Sequence, residues 1–158
     1  MIRQQLEVAV IRSMLANLRR AGFYPSSVHD GETNTRIPAQ VGGPESADRV
    51  LTLALNLDEC RVYFSAFEDH ERVGSVVLTF GNDGWDVVSD WSWVDTTAAG
   101  CTFNETLDKL DPESVGTAAA CKAHTWAWGP CGDAFGACIK CGRSHKEGGT
   151  GVVSAFYR

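Results

Sequence analysis

Two short pairs of metal-binding side chains, Cys121-Lys-Ala-His124 and Cys138-Ile-Lys-Cys141, stand at the two ends of a thirteen-residue loop. Each pair has the spacing of a knuckle that wraps one side of a metal ion. The loop returns the second pair to complete a tetrahedral site, the geometry of structural zinc. Gly142 follows the last cysteine, where a knuckle turn often needs positive φ. The expected ligands are therefore Cys121, His124, Cys138 and Cys141, with Zn2+ in a structural role. Cys131 inside the loop and His145 just beyond it are alternatives to His124. Four protein ligands leave no open position for water, so such a site is not catalytic.

Other chemistries fit parts of this pattern. Cys138 and Cys141 alone could be a thiol–disulfide redox pair, but a redox pair usually opens a helix, and Gly142-Arg-Ser-His is a poor helix start. A disulfide would suit a secreted chain, and no apolar leader opens this sequence. Six cysteines with several reduced-looking positions suit the cytoplasm. No run of about eighteen apolar residues exists, so no membrane helix is expected.

A chain of 158 residues with 44% apolar content is sized for one domain plus a small appendage. The division expected is an α+β domain over 1–112 and a zinc-ribbon-like domain over 113–158, the second dependent on its metal. Charge follows the same division. The first part carries 17 acidic and 9 basic side chains, the second 3 acidic and 5 basic. An acidic body disfavours broad contact with nucleic-acid backbone and permits contact with basic protein surfaces. It is also what solubility alone would produce.

Periodicity predicts a helix over 3–21, with Leu6, Val10, Ile11, Met14, Leu15 and Leu18 on one face and Gly22 as the stop. Residues 24–43 read as extended or irregular, with one short strand near 27–29. A second helix opens at Pro44-Glu-Ser46, with Val50, Leu51, Ala54, Leu55 and Leu57 inward. Strands follow over 61–67, 73–80 and 85–93. A polar turn at Asp69-His70-Glu71 and a hairpin turn at Gly81-Asn-Asp-Gly84 join them. Asn104 could cap a short helix over 107–110, and 152–157 would form a last strand. The fold class is α+β: an antiparallel meander packed against two or three helices, with a C-terminal zinc ribbon. Cys60 reads as a small buried hydrophobe.

No nucleophile elbow, phosphate-cradling loop or two-histidine helix is present, and no enzyme is expected. Asp69-His70-Glu71 is the best acid–base candidate and is more simply a solvated turn. Asp83, Asp86 and Asp90 beside the hairpin tip could meet a basic partner or keep an exposed edge soluble. Trp85, Trp91 and Trp93 have odd spacing and are expected in the core. Trp126 and Trp128 are interface candidates. With Lys122, Lys140, Arg143 and Lys146 nearby they could instead bind single-stranded nucleic acid.

Two segments resemble known material. Cys121-x-x-His124-x-Trp126 with Cys138-x-x-Cys141-Gly142 resembles small zinc ribbons in uncharacterised phage and prophage proteins. Leu57-Asp58-Glu59, Val62-Tyr-Phe64 and the run from Phe80 to Asp90 are similar to a phage and plasmid accessory family of unknown activity. The resemblance implies a mobile-element protein, made in the cytoplasm of a bacterial host cell, that binds a host protein such as CRISPR or restriction machinery. The leading expectation is thus a non-catalytic zinc-binding protein with a host-protein partner. Nucleic-acid binding through the ribbon and a redox protein using Cys138 and Cys141 are the alternatives. An exposed strand edge would permit a homodimer.

Overall fold

A polar turn and a glycine-rich turn fold residues 59–93 back on themselves twice, and this meander is the middle of the molecule. The computed structural model describes residues 3–37, 45–82 and 84–111, and the backbone of 126–128 and 134–138. In order these form α1 (Arg3–Arg20), β1 (Phe23–His29), β2 (Asn34–Arg36), α2 (Glu45–Ala54), β3 (Glu59–Ala66), β4 (Arg72–Thr79), β5 (Val88–Trp93) and α3 (Ala98–Asp108). Two short strands follow, β6 (Trp126–Trp128) and β7 (Ala134–Cys138). The fold is α+β, with three helices and a five-stranded antiparallel sheet in the order β2-β1-β3-β4-β5.

The expected meander is β3-β4-β5, and the sheet extends it by two strands beyond β3. β1 is longer than the short strand expected near 27–29, because Pro25 discourages a strand reading of the residues before it. The proline is tolerated for a local reason. β2 pairs with β1 only at Ser27–His29, so no ladder hydrogen bond is demanded of Pro25 on that side. The register slips between Pro25 and Ser27. At the other end of the sheet, Trp85–Val87 is a 3-10 turn and β5 starts only at Val88.

Strand alternation sorts the sheet into two faces. Val28, Cys60, Val62, Phe64, Val76 and Leu78 point to the helices and are buried. Against them α1 places Leu6, Val10, Ile11, Met14, Leu15 and Leu18, the spacing expected from sequence. The helix ends at Gly22, whose φ is 103°, and the Gly22 carbonyl accepts the Phe67 N–H at 2.9 Å. Ala9, Ser13 and Ala16 are buried as well, so α1 is covered on more than its sheet side. Besides α2 and α3, the backbones of β6 and β7 run alongside it.

The third helix begins earlier than the expected cap at Asn104. Thr97 is the cap, its Oγ1 accepting the Gly100 N–H at 3.0 Å. Two close approaches fix α3 on the sheet. A Cβ on Gly100 would run into the Val94 carbonyl, and one on Gly74 would meet the Phe103 ring. Phe103 is fully buried there, 5.8 Å from Phe23 and 5.5 Å from Phe64 between ring centroids.

Candidate functional site

The expected metal ligands divide at the limit of the described residues. Cys138 is the last residue of β7, and Trp126 and Trp128 lie on β6. Cys121, Lys122, His124, Cys131, Lys140, Cys141, Arg143 and His145 lie outside the described residues, as does the expected strand over 152–157. The backbone register is informative. Trp126 pairs with Cys138 and Trp128 with Ala134, so the N-terminal end of β6 and the C-terminal end of β7 are the same end of the ribbon. In sequence, His124 comes two residues before that end and Cys141 three residues after it. Among the described residues, no group of three or more His, Cys, Asp or Glu could hold a metal.

The second candidate region is the β5 edge. Asp83 lies outside the described residues; Asp86 and Asp90 are exposed. The three tryptophans expected in the core divide. Trp85 and Trp91 are half-buried against it, and Trp91 Nε1 donates to Asn104 Oδ1 at 2.9 Å. Trp93, at the end of the edge strand β5, is 41% exposed. It is the one large apolar side chain among the described residues left in solvent. No described strand pairs with the outer edge of β5. The Trp91 N–H is capped instead by its own neighbour, Asp90 Oδ1, at 2.9 Å.

Asp69-His70-Glu71 forms the β3–β4 turn, as expected. Asp69 Oδ1 accepts the Glu71 N–H at 3.0 Å, and the His70 N–H reaches the Ala66 carbonyl at 2.9 Å. His70 has φ 59°, and its Nδ1 lies 2.8 Å from the Tyr24 hydroxyl. Tyr24 in turn packs on Phe67, over which the Arg19 guanidinium sits at 4.8 Å. These contacts tie a hairpin to the end of α1.

Sequence reasoning missed the sheet face turned away from the helices. Its centre is Tyr63, with Arg72 stacked on the ring at 4.1 Å. Arg61, two residues earlier on the same face, donates from Nη1 to Ser75 Oγ at 2.8 Å. Ser75 Oγ lies 2.9 Å from Ser92 Oγ, and Thr79 Oγ1 lies 2.8 Å from Ser89 Oγ. Register adds Arg36, which faces Ser27, itself opposite Tyr63. The available signal was the alternation Arg61-Val-Tyr63-Phe-Ser65, polar at every second position.

At one end of this face, a recess of about 220 Å3 runs between the His29–Gly31 turn and Glu59–Arg61. The Asp30 carboxyl there is held below its ordinary pKa by the Thr33 and Glu32 N–H groups. Cys60 is 3% exposed, and burial, followed by the charge of Glu59, pushes its thiol up to about 12. It is therefore protonated at neutral pH, the opposite of an activated nucleophile.

No helix of the described residues is long and apolar enough to cross a membrane. Comparison with family models, curated proteins and solved structures returns no match to this chain.

Proposed function

We propose that this is a non-catalytic, zinc-binding protein that acts by binding a host protein, as an accessory factor of a phage or other mobile element. On this reading it interferes with a host defence system such as CRISPR-Cas. Exposed Trp93 on the β5 edge is the observation that carries the binding role, and exposed Asp86 and Asp90 precede it in the same segment. Tryptophan supplies large rigid contact area, and acidic side chains on the same segment favour a basic partner surface. The host-directed part of the reading rests on the resemblance of the zinc motif and the hairpin segment to phage and plasmid proteins.

Cys121, His124, Cys138 and Cys141 would hold the metal. The register of β6 with β7 supports that assignment, since it joins the ribbon ends next to which both pairs occur in the sequence. Bound there, zinc would supply a structural tie between the two segments.

Two measurements test the reading together. Elemental analysis of purified protein should find one zinc per chain, lost in Cys138→Ser. Tagged protein in host lysate should retain one partner in stoichiometric amount, and the purified pair should reassociate. Trp93→Ala should weaken that association at least about tenfold, the loss expected of a hot-spot aromatic. Metal-free protein, or a partner retained equally by Trp93→Ala, would overturn the corresponding half.

A further inference from the structure

The sheet face turned away from the helices carries three arginines in a strongly acidic part of the chain. Arg36, Arg61 and Arg72 surround Tyr63 on β2, β3 and β4. Strand spacing puts Arg36 about 10 Å from the Tyr63 position, and Arg61 lies about 7 Å along the same strand. None of the three pairs with a carboxylate among the described residues, whereas Arg3 and Arg12 on α1 pair with Glu7 and Asp48. Neutral groups position two of them instead. Ser75 holds Arg61 at 2.8 Å and the Tyr63 ring carries Arg72 at 4.1 Å. A guanidinium held by neutral partners keeps most of its donors and its full charge for an outside anion.

We infer that this face is a docking surface for an acidic segment of a partner protein, whose carboxylates pair with Arg36, Arg61 and Arg72. Two observations favour a protein over a nucleic acid. The chain carries a net charge of −6, which repels a long polyanion, while the acidity of a protein segment is local. The arginines are also bounded on their own face by Glu59 on β3 and Asp90 on β5. That is a pattern of mixed sign. It suits discrete carboxylates in register and opposes a continuous phosphate backbone crossing the sheet.

The inference rests on the reading of the chain as a protein-binding module, but not on the β5 edge. Its test uses the full-length protein and two labelled probes, a glutamate-rich twelve-residue peptide and a twelve-nucleotide oligothymidine. The peptide should bind and should shift the Nε–Hε resonances of Arg61 and Arg72 in nitrogen-edited spectra. Binding should weaken at least about tenfold as salt rises from about 0.01 to 0.15 M, which shortens the screening length from about 30 to 8 Å. Arg36→Gln with Arg72→Gln should weaken it about as much. Both side chains are exposed, so the double variant should stay folded. Arg20→Gln, an exposed arginine at the end of α1, should leave it unchanged. Tighter binding of the oligonucleotide, resonance shifts elsewhere, or no binding of either probe would overturn the inference. A variant lacking Arg36 and Arg72 that still binds the partner captured through Trp93 would overturn this face alone. Failure of the Trp93 experiment with intact peptide binding would overturn only the edge.

Discussion

The two faces of the central sheet are both buried in places, by different means. On the helix side, Val62, Phe64, Val76 and Leu78 are covered by another layer, and the contacts are almost all apolar. On the other side, Ser27, Ser65 and Ser75 are only 3–5% exposed, although none of the described helices lies on that face. Longer side chains lie in the same layer: Arg61 reaches Ser75, and Arg72 stacks on Tyr63. One face obtains stability from area removed from water. The other holds a polar network in place, at little net gain per bond.

The contrast is sharpest at Phe103. Phe103→Ala removes the ring that fills the hollow over Gly74 and should destabilise by about 3–5 kcal/mol in urea unfolding. A loss below about 1 kcal/mol would mean that the layers do not interlock as described. Cys60 probes the same face through pH. Its folded pKa, about 12, is above its ordinary value of 9.0, so the folded state holds the proton more tightly. This contribution is intact below about pH 9 and is lost as pH rises toward 12. Cys60→Ala should therefore flatten the alkaline limb of the stability curve, whatever it does to stability at neutral pH. On the open face, Ser75→Ala should cost only about 1 kcal/mol, because Arg61 can turn to water once its partner is gone. A cost comparable to that of Phe103→Ala would break the comparison by showing that the polar face is structural.

The helix-side architecture was legible where periodicity was strong. Leu6 to Leu18 repeat at helical spacing, and Gly81-Asn-Asp-Gly84 marks a hairpin, so α1 and the meander could be read directly. Elements were lost where a local signal misled. Pro25 concealed β1, which survives because β2 does not pair alongside it. The start of α3 was hidden by Thr96-Thr-Ala-Ala-Gly100, whose lone apolar anchors come later at Phe103 and Leu107. The open face was legible as alternation in β3 but not as a surface, because one strand cannot say which of its sides a helix will cover. The odd spacing of Trp91 and Trp93 does put them on one side, yet spacing carries no information about how far each is covered. Metal-ligand spacing could be read from sequence alone. Of that set the structure describes the backbone of Cys138 and the strand pairing beside it.

The position of α1 has a consequence for the order of synthesis. It is made about a hundred residues before β6 and β7, two strands that lie beside it. At about 5–20 residues per second, translation separates α1 from β6 by roughly 5–20 s. Through that interval the helix carries apolar and small side chains on several sides, and the ribbon strands that will run beside it do not yet exist. The nascent chain must keep α1 from sticking to anything else until β6 and β7 emerge from the ribosome.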